Sequence, residues 1–72
     1  MRLNNGKKGN EYMVTLIPDE MTVKQKLLSL GIYEGAKITI KQFLPGKGPL
    51  IIIAGTGEVA ISHEVAHLIE VE

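Results

Sequence analysis

Apolar and polar residues alternate in two stretches of this chain, and in a third they recur at helical spacing. Between Glu11 and Ile17, Tyr12, Val14 and Leu16 interleave with Met13, Thr15 and Ile17, the pattern of a strand with one face better buried. Pro18 and Asp19 end it, because proline has no N–H to donate to a continuing ladder. From Thr22 the period changes. Val23, Leu27 and Leu30 stand at i, i+4 and i+7, on one face of a helix that needs something to bury against. Thr22 and Gln25 have the form of a capping box, each side chain answering a backbone N–H left open by the first turn. Gly31 predicts an exit with φ > 0, and Gly35 turns the chain into the next strand. A helix this short and this sharply ended is a corner piece for a small β-fold.

Lys37 to Phe43 alternates cleanly, with Ile38 and Ile40 on one face and Lys37, Thr39 and Lys41 on the other. Pro45-Gly46-Lys47-Gly48-Pro49 is a loop by composition, restricted by its two prolines. Leu50 to Ala54 is an apolar run that predicts a more fully buried strand. Gly55-Thr56-Gly57 predicts a hairpin turn, with Glu58 to Ile61 as the returning strand. Ser62 is placed to cap a single helical turn through Ala66, and Leu68 to Val71 reads as a last short strand. Residues 1–10, polar apart from Leu3 and with Gly6 and Gly9 around Lys7 and Lys8, predict a loosely ordered start. Together these elements predict a mainly β fold. It is a small, partly open SH3-like barrel of about five strands, with one short corner helix and a C-terminal helical turn.

Composition narrows this further. The 72 residues make one domain, 1–72, able to bury only about 60% of its unfolded surface. Hydrophobic residues are 44% of the chain but only two Tyr and one Phe are aromatic, so the core must be Ile, Leu and Val. Without cysteine there is neither a disulfide nor thiolate chemistry. Eight basic and eight acidic residues cancel, which removes any electrostatic pull toward nucleic acid or anionic lipid. The longest apolar run, Leu50 to Ala54, is too short to insert in a bilayer, and the N-terminus lacks the apolar segment of a secretion signal. A cytoplasmic protein is expected.

With the elements placed, the residues resemble a known family. Lys26-Leu27-Leu28-Ser29-Leu30-Gly31-Ile32, then Gly35 and the strand Ile38 to Ile40, is similar to the core signature of FeoA-like ferrous iron transport proteins. The loop from Pro45 to Pro49 fits the same family, as does Val59-Ala60-Ile61 leading into Glu64, Ala66, Ile69 and Val71. Three positions depart from its pattern: Gly6 stands where an apolar residue is usual, and Lys26 and Ser62 stand where arginine is. Neither replacement makes a bidentate contact. The resemblance implies a small cytoplasmic accessory protein of bacterial ferrous iron uptake. Its implied partner is the ferrous iron permease, a membrane protein with a cytosolic GTP-binding domain, and no reaction or cofactor is implied.

One motif points elsewhere. His63-Glu64-Val65-Ala66-His67 is a literal H-E-x-x-H, the spacing that sets two imidazoles on one helical face in zinc metalloproteases with Glu as general base. A catalytic zinc needs a third protein ligand, and the chain has no third histidine. At about 100° per residue, Val65, Leu68 and Ile69 share one face and the two histidines lie nearly opposite, in solvent. A weak transition-metal site at His63 and His67 is the alternative function, as a metal binder or sensor; a solvated helical face is the plainer reading. Gly46-Lys47-Gly48 lacks the length and Lys-Ser/Thr ending of a phosphate loop and reads as a tight turn. Lys24, Lys26, Lys37 and Lys41 read as a solvated surface.

No catalytic residue and no cofactor is expected. The leading expectation is a protein-interaction module whose contact patch is the helix corner, Lys24, Leu28 and Tyr33, with Pro45, Lys47 and Pro49 of the loop. An exposed Leu beside an exposed Tyr suits a partner contact. Covering the barrel's own edge is an equally good reading of the pair.

Overall fold

The alternating stretches become strands β1 (Glu11–Leu16), β2 (Lys37–Phe43), β3 (Leu50–Ala54), β4 (Gly57–Ile61) and β5 (Glu70–Val71) in a computed structural model of the chain, which describes residues 1–55 and 57–72. They form one sheet in the order β4-β3-β2-β1-β5, antiparallel at every step. The two ends of that order do not pair, so the SH3-like barrel is partly open and β4 keeps a free edge. Of the expected hairpin turn, Gly55 has φ +57° and Gly57 begins β4; Thr56 lies outside the described residues.

The core is aliphatic. Leu3, Val14, Ile32, Ile40, Ile52 and Ile69 are wholly buried, with Leu27 and Ile38 nearly so. Among the described residues no helix is long and apolar enough to cross a membrane.

Helix α1 (Met21–Ser29) carries the expected stripe: Leu27 is buried, and Val23 and Leu30 are half-buried against the core. Gly31 leaves it at the expected positive φ, +87°, and Gly35, at φ +96°, turns the chain toward β2 as expected. The cap is different. The helix begins at Met21, so Thr22 lies inside it, and the capping residue is Glu20. Its carboxylate accepts from Val23 N (2.9 Å) and Thr22 N (3.2 Å). Two carboxylate oxygens answer two orphaned donors and sit at the positive end of the helix dipole.

Three further expectations are corrected. In β1 the alternation breaks after Val14, where Val14 faces Val71 but Leu16 faces Glu70. That bulge adds one residue on the β1 side, which turns Leu16 out to 52% exposure and Ile17 into the core. β3 is not buried on both faces: Leu50, Ile52 and Ala54 point in, while Ile53 is 43% exposed on the uncovered outer face. The first ten residues are also tied down. A 3₁₀ turn (Leu3–Asn5) buries Leu3, whose N–H donates to Ile69 O (2.8 Å); Gly9 N donates to Ile40 O (2.7 Å) and Ile40 N to Asn10 O (3.1 Å). Main-chain bonds hold this segment, and side-chain composition does not reveal them.

The last helix, α2 (His63–Leu68), starts where expected, with Ser62 Oγ accepting from Val65 N (3.2 Å), but runs past Ala66 to include Leu68. It packs on the Leu3–Asn5 turn, and its Ala66 is fully buried.

Candidate functional site: a groove between α1 and the free edge of β4

Val23 and Leu30 pack against the core on one side and remain half-buried because their other side faces a groove. One wall is α1 and the other is β4, the edge left unpaired by the open barrel. The wider part encloses about 510 Å³ between Val23, Lys26 and Leu30 on one side and Ala60 and Ile61 on the other, with Pro49 and Val65 at its end. A second part of about 400 Å³ continues past Leu30, between Ser29 and Gly31 and the β4 residues Gly57, Glu58 and Val59. Leu30 borders both.

The groove's electrostatics are simple. Lys26 is the one charged residue lining the wider part; it is exposed and makes no ion pair among the described residues. In the second part Glu58 is paired with Lys41 of β2. Beside the aliphatic side chains and Lys26, the lining carries the hydroxyls of Thr22, Ser29 and Ser62, a mix that suits recognition of a mainly apolar segment.

The expected site residues fall in two places. Pro49 reaches the groove; Lys24, Leu28, Tyr33, Pro45 and Lys47 do not line it. Leu28 and Tyr33 are 47% and 50% exposed, and Lys24 lies four residues from Leu28 on the same flank of α1, its Nζ 4.0 Å from Asp19 Oδ1. Pro45 and Lys47 are exposed in a turn closed by Leu44 N to Pro49 O (3.1 Å), with Gly46 at φ +68°. The loop is thus shaped, as its prolines predict. Lys26, Ala60 and Val65 were absent from the expected patch. Lys26 was legible only as a lysine where the resembling family has arginine, and as one of four lysines read as a solvated surface.

On α2, His67 is exposed and His63 half-buried. Leu68, expected inward with Val65 and Ile69, is 46% exposed; Ile69 is buried as expected, and Ala66 turns in where Leu68 was expected. Arg2 holds this end, donating through Nη1 to His67 O (3.1 Å) and lying 3.3 Å from Glu70 Oε2. Among the described residues no three His, Asp or Glu side chains gather where they could hold a metal ion.

Comparison with known proteins places this geometry. The FeoA domain model matches residues 1–72. Among solved structures, an iron uptake regulatory protein (FeoA) is 31% identical, with 99% of this chain and 92% of its own covered and a TM-score of 0.85. The FeoA protein from Chlorobium tepidum is 28% identical over 100% of this chain and 69% of its own, TM-score 0.91. A FeoA-like protein from Clostridium acetobutylicum is 25% identical over 100% and 84%, TM-score 0.87. ScaR with bound Cd2+ superposes with a TM-score of 0.89 at 18% identity over 34% of its chain, a likeness of fold alone. No curated protein sequence matches the chain.

Proposed function

The chain belongs to the FeoA domain family, and on that premise we propose that it is a small cytoplasmic accessory protein of ferrous iron transport that works by docking on another protein. The partner in this reading is the ferrous iron permease, through its cytosolic GTP-binding domain. The protein is a regulatory or assembly module for that partner and not an enzyme.

The groove between α1 and β4 is the observation that carries the reading. Half-buried Val23, Leu30 and Val65 leave apolar surface that a partner's side chains can cover. The flank of α1 with Lys24, Leu28 and Tyr33, and the loop with Pro45, Lys47 and Pro49, extend the docking face on either side.

Titration of the ¹⁵N-labelled protein with the permease's soluble cytosolic domain tests this. Shifts in α1, β4 and the Pro45–Pro49 loop are expected, and an unchanged spectrum at saturating partner overturns it.

A further inference from the structure

The two edges of the sheet are treated differently. Beyond β5, Arg2 bridges to Glu70 and Val71 N donates to Met1 O (2.7 Å), so that edge is covered. Exposed sheet edges are commonly blunted by proline, lysine or a bulge. β4 has none of these over Gly57-Glu58-Val59-Ala60-Ile61 and pairs with β3 in unbroken register at all five positions. Its one charged residue, Glu58, is engaged by Lys41 from β2. A regular edge without proline, lysine or bulge therefore runs along the wall of the groove, with α1 across from it and, among the described residues, no main-chain bond between the two.

We infer that the groove accepts an extended protein segment that adds to β4 as a further strand and sets an acidic side chain on Lys26. This deepens the docking reading above and rests on it. Five residues of edge span about 17 Å and offer main-chain donors and acceptors to an incoming strand. A docked helix leaves that edge unanswered, since its own backbone groups are already bonded internally. Side chains of an added strand alternate, so every second one reaches the apolar lining at Leu30, Ile61 and Val65. Charge selects the class. Among the described residues the wider part is lined by Lys26 and no carboxylate, so an acidic residue is attracted there and a basic one repelled.

The test starts from a phage-displayed library of random eight-residue peptides selected on the immobilised protein. Enriched peptides are expected to carry Asp or Glu among alternating apolar residues. Bound to the labelled protein, they should slow amide exchange in Glu58, Val59 or Ala60. Lys26→Glu should weaken them about tenfold and Lys26→Gln about threefold. Lys26 is exposed, and an unchanged spectrum of each free variant checks its fold.

Failure to enrich any peptide, enrichment of basic ones, insensitivity to Lys26→Glu, or shifts confined to the Leu28–Tyr33 flank each overturn the inference. The same variants separate it from the parent reading. If the permease domain binds without perturbing Lys26 or β4, strand addition is wrong and docking stands. If that domain does not bind while acidic peptides add to β4, the partner is wrong and the groove chemistry stands.

Discussion

Gly31 and Gly55 meet backbone to backbone: a Cβ placed on Gly31 would lie 3.4 Å from both Cα and N of Gly55. Both have positive φ, +87° and +57°. This contact joins the exit of α1 to the end of β3, and both glycines line the narrower part of the groove. The groove's shape thus depends on two residues that can turn left-handed.

Gly31→Ala is expected to destabilise the protein by about 1–2 kcal/mol, the cost of holding a Cβ-bearing residue at φ > 0. The space is tight but passable, so strain sets the cost. In a domain of this size the melting temperature should fall by roughly 5–15 °C, read by circular dichroism. An unchanged melting temperature would mean that the turn relaxes to negative φ without loss.

Gly6→Ala should cost about 1–3 kcal/mol in a denaturant titration, for a different reason. Its φ of −72° is ordinary, but a Cβ would come within 2.6 Å of Ile40 Cδ1 and 2.9 Å of Tyr12 Cε2. Ile40 is wholly buried and Tyr12 is held by Lys7 N donating to its hydroxyl (2.8 Å), so neither side chain yields freely. An apolar side chain, usual at this position in the resembling family, would meet the same two groups here.

The N-cap of α1 predicts a pH dependence. The N–H of Val23, then that of Thr22, holds the Glu20 carboxyl below the usual glutamate range. Its folded-state pKa is therefore lower than in the unfolded chain, where about 4.3 is typical. The stabilisation is complete above that unfolded value and is lost as pH falls through the folded one. Melting temperatures of the parent protein and Glu20→Ala should differ at neutral pH and converge on acidification below about pH 4. A constant gap down to about pH 3 would show that the carboxylate's charge is not what caps the helix.

Partner binding should distinguish the groove from the flank of α1. Ala60→Lys puts a charged side chain from exposed β4 into the groove and is expected to weaken binding of the permease domain at least about tenfold. Leu28→Ser with Tyr33→Ser removes two side chains outside it, with an expected loss of about threefold or less. Isothermal calorimetry compares the two. The reverse order would move the docking centre to the helix corner.

What could be read without coordinates followed from short-range rules. Val23, Leu27 and Leu30 announce the inner face of α1 because helical spacing lies within eight residues of chain. Gly31, Gly35 and Ser62 announce their turns and cap because each answers a local backbone need. Glu20 was missed because a carboxylate one residue ahead of Met21 outcompeted the Thr22-Gln25 pattern for the same orphaned N–H groups.

The groove could not be read this way. Ala60 is unremarkable in sequence and Lys26 stands out there only as a replacement of arginine; they face one cleft because β4 ends the sheet beside α1.

The sequence by itself determined an aliphatic, mainly β domain with one corner helix, since periodicity, turn residues and composition act over a few neighbouring positions. The tertiary structure alone decided that Leu16 turns out and Ile17 in, that Leu3 closes onto Ile69, and that β4 rather than β5 keeps its edge. Those outcomes are set by hydrogen bonds between residues far apart in the chain, and only the closed backbone brings them together.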